Sequence, residues 1–214
     1  MASKYRKNKA KFKWTKELVV LLVAIVALIA VTVVLAIPTP KERCTTKLNE
    51  AIALANANAS SDSSGSSTTY SYLPNDNVFE DINHKKLVST INKGGYVYVL
   101  YGSTNSTTIL EQVSNINNMA TDEDIQTVYF YSSEWVEETE DTESEVFKAE
   151  QKTIEDELNN NKSKDVEEFS LLTYPALLVY CDGSLIFNSQ GYDNDAYTWS
   201  MYIQKAFMIQ HSNQ

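Results

Sequence analysis

The tightest constraint on this chain is a pair of apolar runs separated by two residues. Ala176 to Cys181 (Ala-Leu-Leu-Val-Tyr-Cys) is followed by Asp182-Gly183 and then by Ser184 to Phe187. An Asp-Gly pair accepts the positive φ angles of a type I′ turn, whose twist matches that of the flanking strands, so the two runs are expected to form a β-hairpin. Pro175 stands immediately before the first run, where its missing N–H removes no ladder bond. Its tertiary amide leaves both cis and trans forms of the Tyr174-Pro175 bond accessible. Gly191-Tyr192 closes the stretch.

A second run excludes a purely soluble chain. Leu18 to Ile37 is 20 residues long with Thr32 as its only polar member, and a helix of that length spans about 30 Å, the thickness of a bilayer core. Seven of the 18 basic residues (Lys4, Arg6, Lys7, Lys9, Lys11, Lys13 and Lys16) precede it, with Glu17 the only acid up to that point. This asymmetry places the N-terminus in the cytoplasm and everything after Pro38 outside. The run is longer than a signal-peptide core, and Leu35-Ala36-Ile37-Pro38 offers no small-x-small cleavage site, so an uncleaved anchor is expected over a cleaved signal. From Leu18 onward there are 11 basic against 27 acidic residues, a formal charge of −16. Such a domain repels nucleic acid and anionic lipid, and no nucleic-acid partner is expected.

The chain thus divides into a basic cytoplasmic tip (1–17), a transmembrane helix (18–37), a stalk with a Ser-rich linker (38–74) and a folded domain (75–214). In the stalk, Leu48, Ile52 and several alanines suggest a short helix within Lys41 to Ser60, before the Ser/Thr/Gly/Asp run that ends at Thr69. Tyr70 and Tyr72 are placed to meet the folded domain. The spacing of Phe79, Ile82, Leu87, Val88 and Ile91 predicts a helix over Val78 to Asn92, stopped by Lys93-Gly94-Gly95. Tyr96 to Tyr101 has no polar alternation and suits a strand covered on both faces. Thr107 to Met119 carries Ile109, Leu110, Val113 and Ile116 on one helical stripe, and Ile125 to Tyr131 reads as a second buried strand. Glu134 to Glu145 holds seven carboxylates without the spacing of a calcium loop, so a solvated face or helix N-terminal charge is the expected reading. A helix over Glu145 to Asn159 turns Phe147, Ile154 and Leu158 inward. A closing helix over Asp193 to Gln210, capped by Asp193 or Asn194, turns Tyr197, Met201, Tyr202, Ala206 and Ile209 inward.

The order helix, strand, helix, strand, helix, strand, strand, helix resembles the thioredoxin fold, an α/β architecture with a central mixed sheet flanked by helices. Thr173-Tyr174-Pro175-Ala176-Leu177-Leu178 is similar to that family's cis-proline segment, and Tyr96-Val97-Tyr98-Val99 looks most like the membrane-anchored thioredoxin-like proteins of Gram-positive bacteria, among them the bacteriocin transport accessory proteins. The resemblance covers roughly Val78 to Gln210. It implies a cis bond before Pro175 and an active loop directly after Tyr96 to Tyr101. It also puts the family's Cys-x-x-Cys on Thr104-Asn105-Ser106-Thr107, give or take one residue.

No cysteine lies between Cys44 and Cys181. Dithiol exchange needs a thiolate and a second, resolving thiol, which hydroxyls cannot supply. The exposed end of the helix remains able to bind an acceptor, or to be capped by Thr104 or Ser106. Cys181, beside the hairpin turn, reads as a packing residue; an intermolecular bridge through Cys44 is a minor alternative. Two histidines, His84 and His211, lack close metal-ligating neighbours, and no dinucleotide or phosphate-loop fingerprint occurs, so no metal or cofactor is expected. The resemblance implies a polypeptide partner paired with the backbone of Thr173 and Tyr174 before Pro175. Two readings stand against it: a disulfide-handling accessory acting through Cys181, and a structural subunit of a cell-surface complex.

Overall fold

The computed structural model describes residues 15–61, 69–139, 141–190 and 196–212. They fall into two compact units, Met1–Pro38 and Thr39–Gln214. The first holds one helix, α1 (Lys16–Ala36), the one described helix long and apolar enough to cross a membrane. Most of its described side chains are exposed.

The second unit is built on five strands: β1 (Phe79–Asp81), β2 (Tyr96–Gly102), β3 (Val128–Ser132), β4 (Ala176–Cys181) and β5 (Ser184–Asn188), in the order β1-β3-β2-β4-β5. β3 runs parallel to β1 and to β2, while β4 is antiparallel to both β2 and β5. Six helices accompany the sheet: α2 (Pro40–Ser61), α3 (His84–Ile91), α4 (Thr107–Asp122), the single turn α5 (Glu134–Glu137), α6 (Glu145–Leu158) and α7 (Ala196–Ser212). This is the thioredoxin-like arrangement. One face of the sheet packs Tyr98, Leu100, Leu177 and Val179 against α2, α4 and α7. The other packs Val97, Val99, Tyr101, Leu178 and Tyr180 against α3 and α6. Alternate residues of β2 and β4 therefore enter opposite cores, which is why neither strand can alternate apolar with polar.

The hairpin forms as its turn dictates. Asp182 and Gly183 both have positive φ, 48° and 84°, and the Asp182 side chain accepts from the N–H of Gly95 at 2.8 Å. Three asparagines use their side-chain amides to fasten irregular segments: Asn49 pairs with both backbone groups of Leu73, Asn56 with those of Tyr70, and Asn159 with those of Phe169.

Four expectations are corrected. Val78 to Asn92 is not one helix, because Phe79–Asp81 pairs with β3 and Asn83 then starts α3 by accepting from the Lys86 N–H at 2.9 Å. Within the expected stalk, α2 is not free: it sets Cys44, Leu48 and Ile52 fully inside the core, and Asn77 donates to Thr45 at 2.7 Å. The expected second strand begins at Val128, since Ile125 instead ends α4 by bonding Ala120. The inward stripe of α7 is Trp199, Ile203, Ala206 and Phe207, whereas Met201 is exposed and Tyr202 and Ile209 pack only at the margin. Tyr70 is half-buried and Tyr72 exposed. The basic tip to residue 14, the linker over 62–68, Gly191-Tyr192, the Asp193 or Asn194 cap and the Tyr197 side chain lie outside the described residues.

Candidate functional site

β2 ends at Gly102, the chain turns through Ser103, Thr104 and Asn105, and α4 starts at Thr107. Ser106 is its N-cap, in extended conformation, with its hydroxyl accepting from the Ile109 N–H at 3.4 Å. The turn is closed by the Ser106 N–H on the Ser103 carbonyl at 3.1 Å and the Asn105 N–H on the Ser103 hydroxyl at 3.1 Å.

The Tyr174-Pro175 peptide is cis. In the ladder Tyr101 stands opposite Ala176, so Gly102 stands opposite Pro175. A Cβ on Gly102 would lie 3.5 Å from the Cβ of Pro175. The structure thus brings the loop of Thr104 to Thr107 and the segment of Thr173 to Pro175 to one end of the sheet, an edge made of loops rather than an edge strand. Cys181 is elsewhere. It pairs with Tyr96 at the other end of β4, five residue steps from Ala176, or about 17 Å along a strand.

Two carboxylates hold the loop. Glu137 accepts from the Ser103 hydroxyl at 2.8 Å and from the Ser133 hydroxyl at 3.1 Å, and both serines are buried. Glu134 accepts from the Thr104 hydroxyl at 2.9 Å. Both acids come from α5, which follows β3, and the Ser133 N–H donates to the Gly102 carbonyl at 2.9 Å, tying that turn to the end of β2. Burial holds the Tyr174 phenol above its ordinary range, and the Glu137 carboxylate facing it adds to the shift. The sequence suggests a solvated face or helix N-terminal charge for these acids; both do lie in the first turn of α5, but they also hold the loop. Their signal was positional, since they directly follow a strand parallel to β2 and must therefore emerge at the same edge.

A second residue absent from the sequence reading is Gln190, which is buried. Its Nε2 donates to the carbonyls of Ser170 (2.7 Å) and Thr173, and its Oε1 accepts from the Ser170 N–H at 2.8 Å. The Thr173 carbonyl, expected to face a partner, is therefore taken within the fold. Among the described residues nothing bonds the backbone N–H or carbonyl of Tyr174. What the arrangement offers chemically is one free donor and acceptor beside a loop of hydroxyls whose protons are directed at carboxylates.

Neither cysteine serves this edge. Both are free, with Cys181 half-buried and Cys44 fully buried on the inner face of α2. Burial, with the Asp81 charge behind it, pushes the Cys44 thiol up to about 12. An intermolecular bridge through Cys44 is thereby corrected, because the sulfur has no path to a second chain. Among the described residues no group of three or more His, Cys, Asp or Glu side chains is arranged to hold a metal ion.

No family model and no curated protein matches the chain. Among solved structures, a protein with a thioredoxin fold, itself described only as a proposed oxidoreductase, is similar at 14% identity with a TM-score of 0.34, over 58% of this chain and 92% of that one.

Proposed function

We propose that the chain is a membrane-tethered protein whose thioredoxin-like domain lies outside the cytoplasm, binds an extended stretch of another polypeptide beside Pro175, and performs no dithiol exchange of its own. The observation that carries the reading is the unbonded backbone of Tyr174 at the edge shared with the Thr104 loop. An N–H and C=O left unbonded within the fold are the elements that β-type pairing with a partner strand requires. The redox half of the reading rests on the thiols: dithiol exchange needs two sulfurs at one place, and here one is buried on the inner face of α2 while the other sits at the far end of β4. The tether rests on α1 and on the seven cations that precede its apolar run from Leu18. Export accessories of the bacteriocin transport type, which Tyr96-Val97-Tyr98-Val99 resembles, provide the setting in which such a docking edge would act.

The test is site-specific photo-cross-linking of the full chain in its membrane. A photoreactive residue at the exposed Thr173 should capture polypeptide, one at Lys93 on the opposite end of the sheet should not, and Tyr174→Ala should weaken capture at Thr173. Equal capture at Thr173 and Lys93, or capture indifferent to Tyr174→Ala, removes the edge from the reading.

A further inference from the structure

A cavity of about 380 Å³ opens at the ends of the first and third strands, and its lining includes neither Tyr174 nor the Thr104 loop. It lies where β1 and β3 both end, the carboxyl side on which open α/β sheets take their ligands, and its volume is within the range of about 300–1,000 Å³ typical of small-molecule sites. The apolar part of its wall is the Tyr131 and Trp135 rings together with Ile154. Trp135 is braced from behind by Phe147, 5.7 Å between ring centroids. The polar part carries both signs of charge. Asp81 is already engaged by Arg43 at 3.7 Å and Lys47 at 3.9 Å. Lys86, from the first turn of α3, and Glu150, from α6, border the same cavity, and neither ion-pairs with anything among the described residues. His84 in the same wall keeps its Nε2 on Glu157 at 2.6 Å and leaves Nδ1 buried without a partner.

We infer that this cavity binds a small zwitterion with a flat apolar body, of which a free aromatic α-amino acid is the simplest member. The rings accept the apolar body. Lys86 meets the carboxylate, assisted by the start of α3, and Glu150 meets the ammonium. A simple anion would face Glu150 and a simple cation would face Lys86, so each lone charge gains one partner and one repulsion. Only a ligand bearing both charges satisfies both walls.

The probe is L-phenylalanine titrated calorimetrically into the full chain in detergent, against 3-phenylpropionate, which lacks the ammonium, and phenethylamine, which lacks the carboxylate. Phenylalanine should bind saturably at one site, and each analogue about tenfold more weakly or worse. Lys86→Gln should erase the preference over phenethylamine and Glu150→Gln the preference over 3-phenylpropionate. Both residues are exposed, so the unfolding temperatures of the variants should match the parent and keep a loss of binding distinct from a loss of fold. Absence of saturable phenylalanine binding, binding of either analogue as tight as that of phenylalanine, or indifference to both substitutions overturns the inference. None of these outcomes touches the Tyr174 edge.

Discussion

Gly102 and Pro175 lie against one another across the two central strands, with a Cβ on the glycine falling 3.5 Å from the proline Cβ and 3.0 Å from Ile109 Cδ1. This approach brings α4 under the cis-proline segment. Gly102→Ala should therefore force Ile109, which is fully buried, to move, and lower the stability by about 1–3 kcal/mol. Urea unfolding followed by circular dichroism measures the effect, and an unchanged midpoint would mean that the space is not limiting.

Gln190→Ala strips partners from the Ser170 N–H and from the carbonyls of Ser170 and Thr173. The expected cost is about 0.5–1.5 kcal/mol, the net worth of hydrogen bonds between groups that water can partly reach once Gln190 is gone. Faster amide exchange should be confined to residues 170–174. A uniform rise across the sheet would show instead that Gln190 supports the fold as a whole.

Glu137→Ala should cost more than Glu134→Ala. The first leaves the buried Ser103 and Ser133 hydroxyls without an acceptor, about 1–3 kcal/mol, while the second frees only the half-exposed Thr104. Denaturant midpoints of the two variants decide the order, and a reversed order would remove Glu137 as the anchor of the loop.

Thiol accessibility should split cleanly. In the native chain one thiol, Cys181, reacts with an aromatic disulfide reagent, and Cys44 reacts only on unfolding, since it is buried and its pKa is raised to about 12. Cys181→Ser should abolish the native reaction. A second thiol titrating without denaturant would mean that α2 opens readily.

Stability should fall on the alkaline side. Burial lifts the Tyr98 and Tyr131 phenols from about 10 to about 12 and the Cys44 thiol from about 9 to about 12. Each group holds its proton more firmly folded than unfolded, so its contribution is complete below the unfolded value and is lost as pH climbs toward the folded one. Unfolding midpoints should be level up to about pH 9 and decline between about pH 9 and 12. A flat profile across that window would contradict the burial of these groups.

The hairpin, β2 and the helices that follow the loop were legible because each carries a local instruction: Asp182-Gly183, an unbroken apolar run, a regular stripe. The cis state of the Tyr174-Pro175 bond was implied only by the resemblance, since Pro175 by itself allows both forms. What escaped was set by partners distant in sequence. Phe79–Asp81 is only three residues long and is a strand because β3 lies beside it, whereas its local spacing is helical. α2 shows the core only the narrow line Cys44, Leu48, Ile52, amid alanines and asparagines that read as a polar stalk. Nor could the resemblance report that Gln190, 15 residues beyond Pro175 in sequence, occupies the Thr173 carbonyl.

That occupation limits how any visiting strand can be held. With Thr173 committed internally, the edge presents a single residue's worth of main-chain valence, enough for one bridge and too little for a ladder. On the reading proposed above, recognition there would fall to the visitor's side chains rather than to its main chain.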